Sequence, residues 1–364
     1  MMDEMSFWLL DHPRLLFPEP TPMFYEKAVW SAATRQDRLS ALNALVELQI
    51  PGKQKPERSP IVFASLRAVM TRTIPRRDFI ISSKAVKTNQ MISPEELRRT
   101  WVGLGYEAAD VVLDHGQFSQ RGGILDIWGM SERFPVRLDF FGNEIESIRQ
   151  FDPTTQRTIA TIEGVTITPS REFIIPKDGL INDTEEPLDE FLIPICHPQQ
   201  ATILDYLPKN SLVVLDNLTN IQAFGEEIEE KALKFRQESI EEGIIPADFP
   251  VPYVTWSELF DTVESRRFIE LGRSNEPDDI TFGSIFQPEQ RFGGQLAPFI
   301  KFVREVSEKK ESITIVSRQM PRLKEIWRES YHEEIGSEPV FIEGSLTEGW
   351  CLTLDDDSHA HLIS

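Results

Sequence analysis

The sequence predicts an α/β protein: a parallel-sheet domain, interrupted by a β-rich insertion and followed by a small second α/β domain. Three observations lead there. Short apolar runs, Ile61–Ala64 and Leu212–Leu215, alternate with helical periodicities on either side of residues 93–176. Between them, Gly105–Arg157 is dense in strand formers and holds a tight hairpin signature. From Leu296 onward a helix, a buried strand and another helix follow in turn.

The opening segment, Phe7–Leu16, reads as an apolar strand and runs into the proline-rich turn Phe17-Pro18-Glu19-Pro20. A helix carrying Leu39, Leu42, Leu45 and Val46 is expected next, ending near Pro51-Gly52. Ile61–Ala64 follows as a buried strand, then a short helix from Ser65 with a stop at Pro75. Residues 1–92 thus look like the first part of an α/β domain whose opening strands are missing, and the expectation is an N-terminally incomplete chain.

Ser93-Pro94-Glu95-Glu96 is a helix start, with Ser as N-cap, Pro at the first position and Glu at the third. That helix should bury Leu97 and Trp101 and end at Gly103–Gly105, delivering the chain into the insertion, residues 93–176. In Val136–Phe141 the side chains alternate, so that Val136, Leu138 and Phe140 share one face and Arg137, Asp139 and Phe141 the other. Gly142-Asn143 suits a type II′ turn, which sets Phe141 opposite Glu144 and Asp139 opposite Glu146. The apolar face, with Ile145, must be the buried one. Phe141 is then left among charges, the composition of an interface anchor. The alternative is that its ring folds under a neighbouring helix.

The insertion should close near Phe173–Pro176, where Pro-Lys-Asp-Gly reads as a turn, and the host domain should resume over residues 177–284. Leu212–Leu215 reads as a parallel strand with Asp216-Asn217 at its end. A Thr219-x-x-Gln222 capping box is expected to open a helix with Ile221, Phe224, Ile228 and Phe235 on one face and the acidic run of residues 225–242 on its solvated face. Ala247–Trp256 is extended and aromatic. The last unit, residues 285–364, should hold a helix with Leu296, Phe299, Ile300, Val303 and Val306, the strand Ile313–Val316, and a helix after Pro321 with Leu323, Ile326 and Trp327. Asp355–His361 offers oxygen and imidazole ligands for a divalent ion, yet reads first as a solvated loop.

Composition excludes several functions. Charged residues make up 27% and hydrophobic ones 40%, ordinary for a globular chain. The net charge of −21 argues against a broad nucleic-acid grip, which needs clustered cations, and makes a protein partner the default. No stretch is apolar enough to span a membrane and no secretory signal opens the chain, so a cytoplasmic location is expected. Cys196 and Cys351 stand alone and should be buried small hydrophobes; His115 should be a surface or capping residue. A phosphate-binding Gly-x-x-x-x-Gly-Lys-Ser/Thr loop is absent, and Asn217 follows Asp216 where a helicase would carry a second carboxylate. Arg121-Gly122-Gly123 precedes a strand and opens no helix. No catalytic residue, metal or cofactor is expected.

The Gly105-Tyr106 start, the run Gly116–Ile127, the hairpin Arg137–Ile145 and the exit Phe151–Arg157 closely resemble the UvrA-interaction domain shared by the excision-repair helicase UvrB and the bacterial transcription-repair coupling factor (Mfd). Trp128-Gly129 stands where that family more often has Phe-Pro. The resemblance implies that UvrA is contacted by an Arg of the Arg-Gly pair, an Arg of the hairpin strand and an aromatic four residues on. These fall on Arg121, Arg137 and Phe141. It implies that both cations pair with carboxylates of UvrA and that the ring fills an apolar pocket. Over nearly the whole chain, though weakest after Gln287, it resembles the UvrB-like N-terminal module of a coupling factor, a degenerate helicase-like fold without ATPase motifs. The implied function is an adaptor that recruits nucleotide-excision repair to stalled RNA polymerase, reaching polymerase and damaged DNA only through other domains. The alternatives are a piece of an ATP-dependent DNA translocase whose motor lies outside this chain, and a freestanding protein that blocks UvrA. UvrB itself would have shown its phosphate loop ahead of residue 105.

Overall fold

Strand β1 (Arg14–Phe17), helix α1 (Ala32–Glu47) and strand β2 (Ile61–Ala64) form a parallel βαβ unit, with Leu16 opposite Phe63. This is a computed structural model, and it describes residues 12–50, 56–174, 189–272, 283, 285–330, 338–354 and 358–364. Ser31 Oγ accepts the Thr34 N–H at 3.0 Å and starts α1, whose Leu39, Leu42, Leu45 and Val46 are buried as the spacing requires. The helix ends at Glu47, ahead of the expected Pro51-Gly52, which with residues 7–11 of the expected Phe7–Leu16 strand lies outside the described residues. β2 is half-buried, not fully buried, because β1 is its one strand neighbour among the described residues. Ser65 caps helix α2 (Leu66–Met70) as expected, but Pro75 does not stop it. The helix has already ended at Thr71, and Pro75 sits at the start of α3 (Arg76–Ser82), where a fixed φ and a missing N–H are harmless.

The insertion is built on one sheet. Strand β3 (Lys84–Lys87) leads to α4 (Pro94–Gly103), whose Ser93 cap accepts the Glu96 N–H at 3.1 Å. Leu97 and Trp101 are buried, and the chain turns at Gly105, where φ is 87° and a Cβ would collide with the Arg171 side chain. Six strands then pair in chain order: β4 (Glu107–Ala108), β5 (Gln117–Arg121), β6 (Ile124–Ile127), β7 (Val136–Phe141), β8 (Glu144–Phe151) and β9 (Thr158–Ile162). All neighbours are antiparallel except β4 and β5. β10 (Gly164–Ile167) returns antiparallel to β3. Trp101, Phe118, Leu125, Ile127, Val136, Leu138, Ile145 and Ile148 form its core with Val86 of β3 and Ile167 of β10.

The hairpin turn has its positive φ at Gly142 and not at Asn143, which is the II′ pattern. Phe141 faces Glu144 as expected, but Asp139 faces Ser147 and not Glu146. A bulge between Asp139 and Phe140 leaves Glu146 as the extra residue. Its cause is the apolar pattern: Ile145 and Ile148 are an odd number of residues apart, and both must enter the core.

After α5 (Ile193–Cys196), β11 (Leu212–Asp216) pairs in parallel with β12 (Arg267–Leu271), with α6 (Leu218–Glu241) and α7 (Trp256–Glu264) between them. The expected Thr219 box is not the cap of α6. Asn217 Oδ1 accepts the Asn220 N–H at 3.1 Å, because β11 ends one residue earlier and Asn tolerates the left-handed turn, φ 66°. The face that α6 buries holds Gly225, Ile228, Ala232 and Ser239, so Ile228 is inward as expected while Phe224 and Phe235 are exposed. Phe249 and Tyr253 of the aromatic segment pack with Phe24, Tyr25 and Ile228. Cys196 is buried as expected. The residues from Pro13 to Gly272 form one unit.

The second unit contains residues 273–364. Its sheet has the order β13, β16, β17, β14, β15, from β13 (Phe286–Pro288), β14 (Ser312–Ser317), β15 (Val340–Glu343), β16 (Trp350–Thr353) and β17 (His359–Ile363). Helices α8 (Leu296–Glu308) and α9 (Met320–Ser330) occur where the periodicity placed them, and Val303, Val306, Ile313, Ile315 and Ile363 make the core. His359 and His361 lie on a strand and not in a solvated loop, since β17 pairs with both β14 and β16; residues 355–357 lie outside the described set. Cys351 is half-buried, less enclosed than expected. Among the described residues, no helix is long and apolar enough to cross a membrane.

Candidate protein-docking site

Register fixes which residues of the insertion share its polar face. Ser119, Asp126, Arg137, Arg149 and Thr161 stand opposite one another across β5 to β9, with Arg121, Ile124, Asp139 and Ser147 as the next row. Row one puts two arginines side by side, a repulsive pair unless carboxylates intervene. They do. Asp126, only 1% exposed, accepts Arg137 Nε at 2.7 Å and Arg137 Nη2 at 2.8 Å, and also accepts Arg121 Nη2 at 3.0 Å. Asp139 takes Arg149 Nη2 at 2.6 Å and Ser147 Oγ at 2.7 Å.

Arg137 is held on every side. Its Nη2 also donates to Gln156 Oε1 at 3.0 Å, and its guanidinium lies 4.5 Å from the centre of the Phe151 ring. The hydrogen bonds it donates to Asp126 hold its pKa above the ordinary arginine value. The exit motif explains Gln156: Asp152 Oδ1 accepts the N–H groups of Thr154 at 3.0 Å and Thr155 at 2.7 Å, closing a turn that leaves Gln156 at φ 58° beneath the arginine. These same bonds from Thr155 lower the Asp152 pKa.

The structure therefore brings Arg121 and Arg137 together on one carboxylate, but it does not present them equally. The Arg121 side chain is 51% exposed and that of Arg137 16%. Phe141 is 80% exposed at the end of β7 and does not fold under a helix. The return strand β8 and its turn are braced from the far side, because Gln90 O accepts the Ile145 N–H at 3.0 Å and the Asn143 carbonyl accepts the Ile92 N–H at 2.8 Å. Met91 bridges to Glu144, which faces Phe141, so Met91 and Phe141 flank one glutamate on the same face, and Met91 is 71% exposed.

Sequence reasoning passed over Asp126, Arg149, Gln156 and Met91. Asp126 had a visible signal, a lone acid in the apolar run Ile-Leu-Asp-Ile, which only a buried cation partner makes tolerable. Arg149 needed the bulge to be counted, and Met91 lies on a segment with no strand signature. His115 is not a surface residue: its ring is half-buried, 4.2 Å from that of Trp128, with Nε2 3.0 Å from Glu132 O, and burial lowers its pKa.

Comparison with known proteins falls on the same segment. Residues 85–173 match the family model described as the UvrB interaction domain. The chain is 28% identical over 290 residues to the transcription-repair-coupling factor of Bacillus subtilis, an alignment covering 69% of this chain and 24% of that protein. It is 34% identical over 178 residues to the Myxococcus xanthus protein of the same name, covering 47% and 14%, and 33% identical over 132 residues to that of Escherichia coli, covering 36% and 11%. The chain is thus similar to part of the transcription-repair-coupling factors and carries a UvrB interaction domain, while spanning about a quarter of the Bacillus subtilis relative's length, or 24%.

Proposed function

We propose that this chain is the UvrA-binding adaptor of a transcription-repair coupling factor, bringing nucleotide-excision repair to stalled RNA polymerase. One observation carries the reading: within the matched segment, an aromatic ring 80% exposed stands on a sheet whose neighbouring side chains are locked. A rigid, bare aromatic gives large contact area with little ordering cost, which is how interface anchors work. Phe141 would enter an apolar pocket of UvrA with Met91 at its flank. Arg121, half in solvent, would take a carboxylate of UvrA beside that of Asp126, which it shares with Arg137. Arg137, with Nη1 left over from its bonds to Asp126 and Gln156, would add a donor from below and hold Asp126 in place. RNA polymerase and damaged DNA would be reached through regions outside this chain, in the cytoplasm. The role asks for binding alone, without catalysis or cofactor.

The test is surface plasmon resonance on immobilised UvrA. Phe141→Ala is expected to weaken binding by about 2 kcal/mol or more, roughly 30-fold, and to leave the thermal unfolding curve in place. Arg121→Ala should weaken it about tenfold. Parent-like affinity in Phe141→Ala, Arg121→Ala and Arg137→Ala alike would reject the assignment.

A further inference from the structure

We infer that the second unit holds a divalent-metal site of the zinc class, made by Glu289, Cys351 and His361, with Glu311 as the outer carboxylate that orients His361. Register alone assembles it. Gln287 faces Cys351, Cys351 faces His361 and His361 faces Ile313 across β13, β16, β17 and β14. Glu289 is two residues on from Gln287 and Glu311 two before Ile313, so a period of two sets all four side chains on one face. Glu289 N donates to Gly349 O at 3.0 Å, which carries the ladder past the end of β13 and keeps Glu289 in line.

The donor atoms of Glu289, Cys351 and His361 lie within 4.8 Å of one another. His361 Nδ1 is 2.5 Å from Glu289 Oε2 and its Nε2 is 3.3 Å from Glu311 Oε2. The three charged-type side chains are largely enclosed, at 10% exposed for His361, 8% for Glu289 and 14% for Glu311, and the edge of Phe302 from α8 closes over the imidazole at 5.6 Å.

The chemistry narrows the ligand. A thiol, an imidazole and a carboxylate form the mixed set that zinc-class ions accept at ~2.0–2.3 Å, whereas calcium and magnesium want oxygen alone. A metal-bound histidine characteristically donates its other ring N–H to a carboxylate, the position Glu311 occupies at Nε2. Two carboxylates gathered on an enclosed sheet face are also well compensated by a divalent ion. A metal between Nδ1 and Oε2 needs that pair to open by about 1 Å, a rotamer adjustment, and the fourth position stays available to water. Bound there, the ion would clamp three adjacent strands. This inference is independent of the docking face.

Full-length chain, stripped with a chelator, is titrated with Co²⁺ alone. The expected result is a single equivalent bound with a near-ultraviolet thiolate-to-cobalt charge-transfer band. The chain has 2 cysteines, so Cys351→Ser must abolish the band and Cys196→Ser must keep it. His361→Gln should weaken binding at least tenfold, and Glu311→Gln about tenfold with the band retained. No band in the parent at saturating Co²⁺, or a band that survives Cys351→Ser, overturns the site and leaves His361 as a hydrogen-bonded imidazole between two carboxylates. The parent titration decides even where a variant does not fold.

Discussion

Replacing Asp126 by asparagine removes one charge from a buried fork and changes almost nothing in size. Asp126 is 1% exposed and carries both Arg121 and Arg137. Taking one partner from a buried pair costs about 3–5 kcal/mol, because the other charge stays behind without compensation. Arg137 is not wholly abandoned. It keeps Gln156 at 3.0 Å and the Phe151 ring at 4.5 Å, and its 16% exposure admits water, so the loss falls below that range, to about 2–3 kcal/mol. Arg121→Ala, at a half-exposed side chain, should cost about 1 kcal/mol or less. Urea unfolding followed by tryptophan fluorescence reads both, since Trp101 is buried against Phe118 at 5.8 Å in the same core. In a double-mutant cycle, Asp126→Asn with Arg137→Gln should show a coupling of about 1–3 kcal/mol. A loss in Asp126→Asn below about 1 kcal/mol, no larger than in Arg121→Ala, would show that this carboxylate does not hold the face together.

Arg38 and Glu172 form a buried bidentate pair, Nε to Oε1 at 2.5 Å and Nη2 to Oε2 at 3.0 Å, so Arg38→Ala should lose about 3–5 kcal/mol of unfolding free energy in urea titration while Arg38→Met with Glu172→Met returns to within about 2 kcal/mol of the parent. Gly142→Ala has open space for its methyl group but φ is 61°, and thermal unfolding should report a loss of about 1 kcal/mol. Burial lowers the pKa of His115 and of His197, the latter despite Asp78 at 3.1 Å. Each therefore binds its proton more readily unfolded, at about pH 6.5, than folded, and its contribution is complete above that pH and lost as pH falls toward the folded value. The melting temperature should drop from pH 7.5 to 5.5, and His197→Asn should flatten that slope; an unchanged slope would remove His197 from the account.

Where local chemistry decides, the sequence was readable. Ser93-Pro94 started α4, Leu39 to Val46 faced inward, and Gly142 set the hairpin turn, because caps, periodicity and positive φ act within a few residues. The misreadings came from competition. Thr219 makes a plausible cap, but Asn217 is nearer the end of β11 and starts the helix first. Pro75 breaks a helix in mid-course yet begins one when it stands at the N-terminus. Half-burial of β2 is invisible in an apolar run, since it depends on how many strands lie beside it.

The candidate site was legible in its outer half and not in its inner half. Phe141 could be found because alternation forces it onto the charged face, whatever the rest of the sheet does. How the arginines are held could not, since that depends on Asp126 from a third strand and on a bulge that shifts Arg149 beside Arg137. The bulge nevertheless left a trace. Ile145 and Ile148 cannot enter one core from an unbroken strand, and counting the extra residue that they demand moves Arg149, not Ile148, opposite Arg137. With two cations then facing each other, the polar face must supply carboxylates, and Asp126 and Asp139 are the acids whose register reaches them. The exposure of Phe141, the pairing of Arg137 and Arg149 with carboxylates and the burial of Asp126 are consequences of the same register.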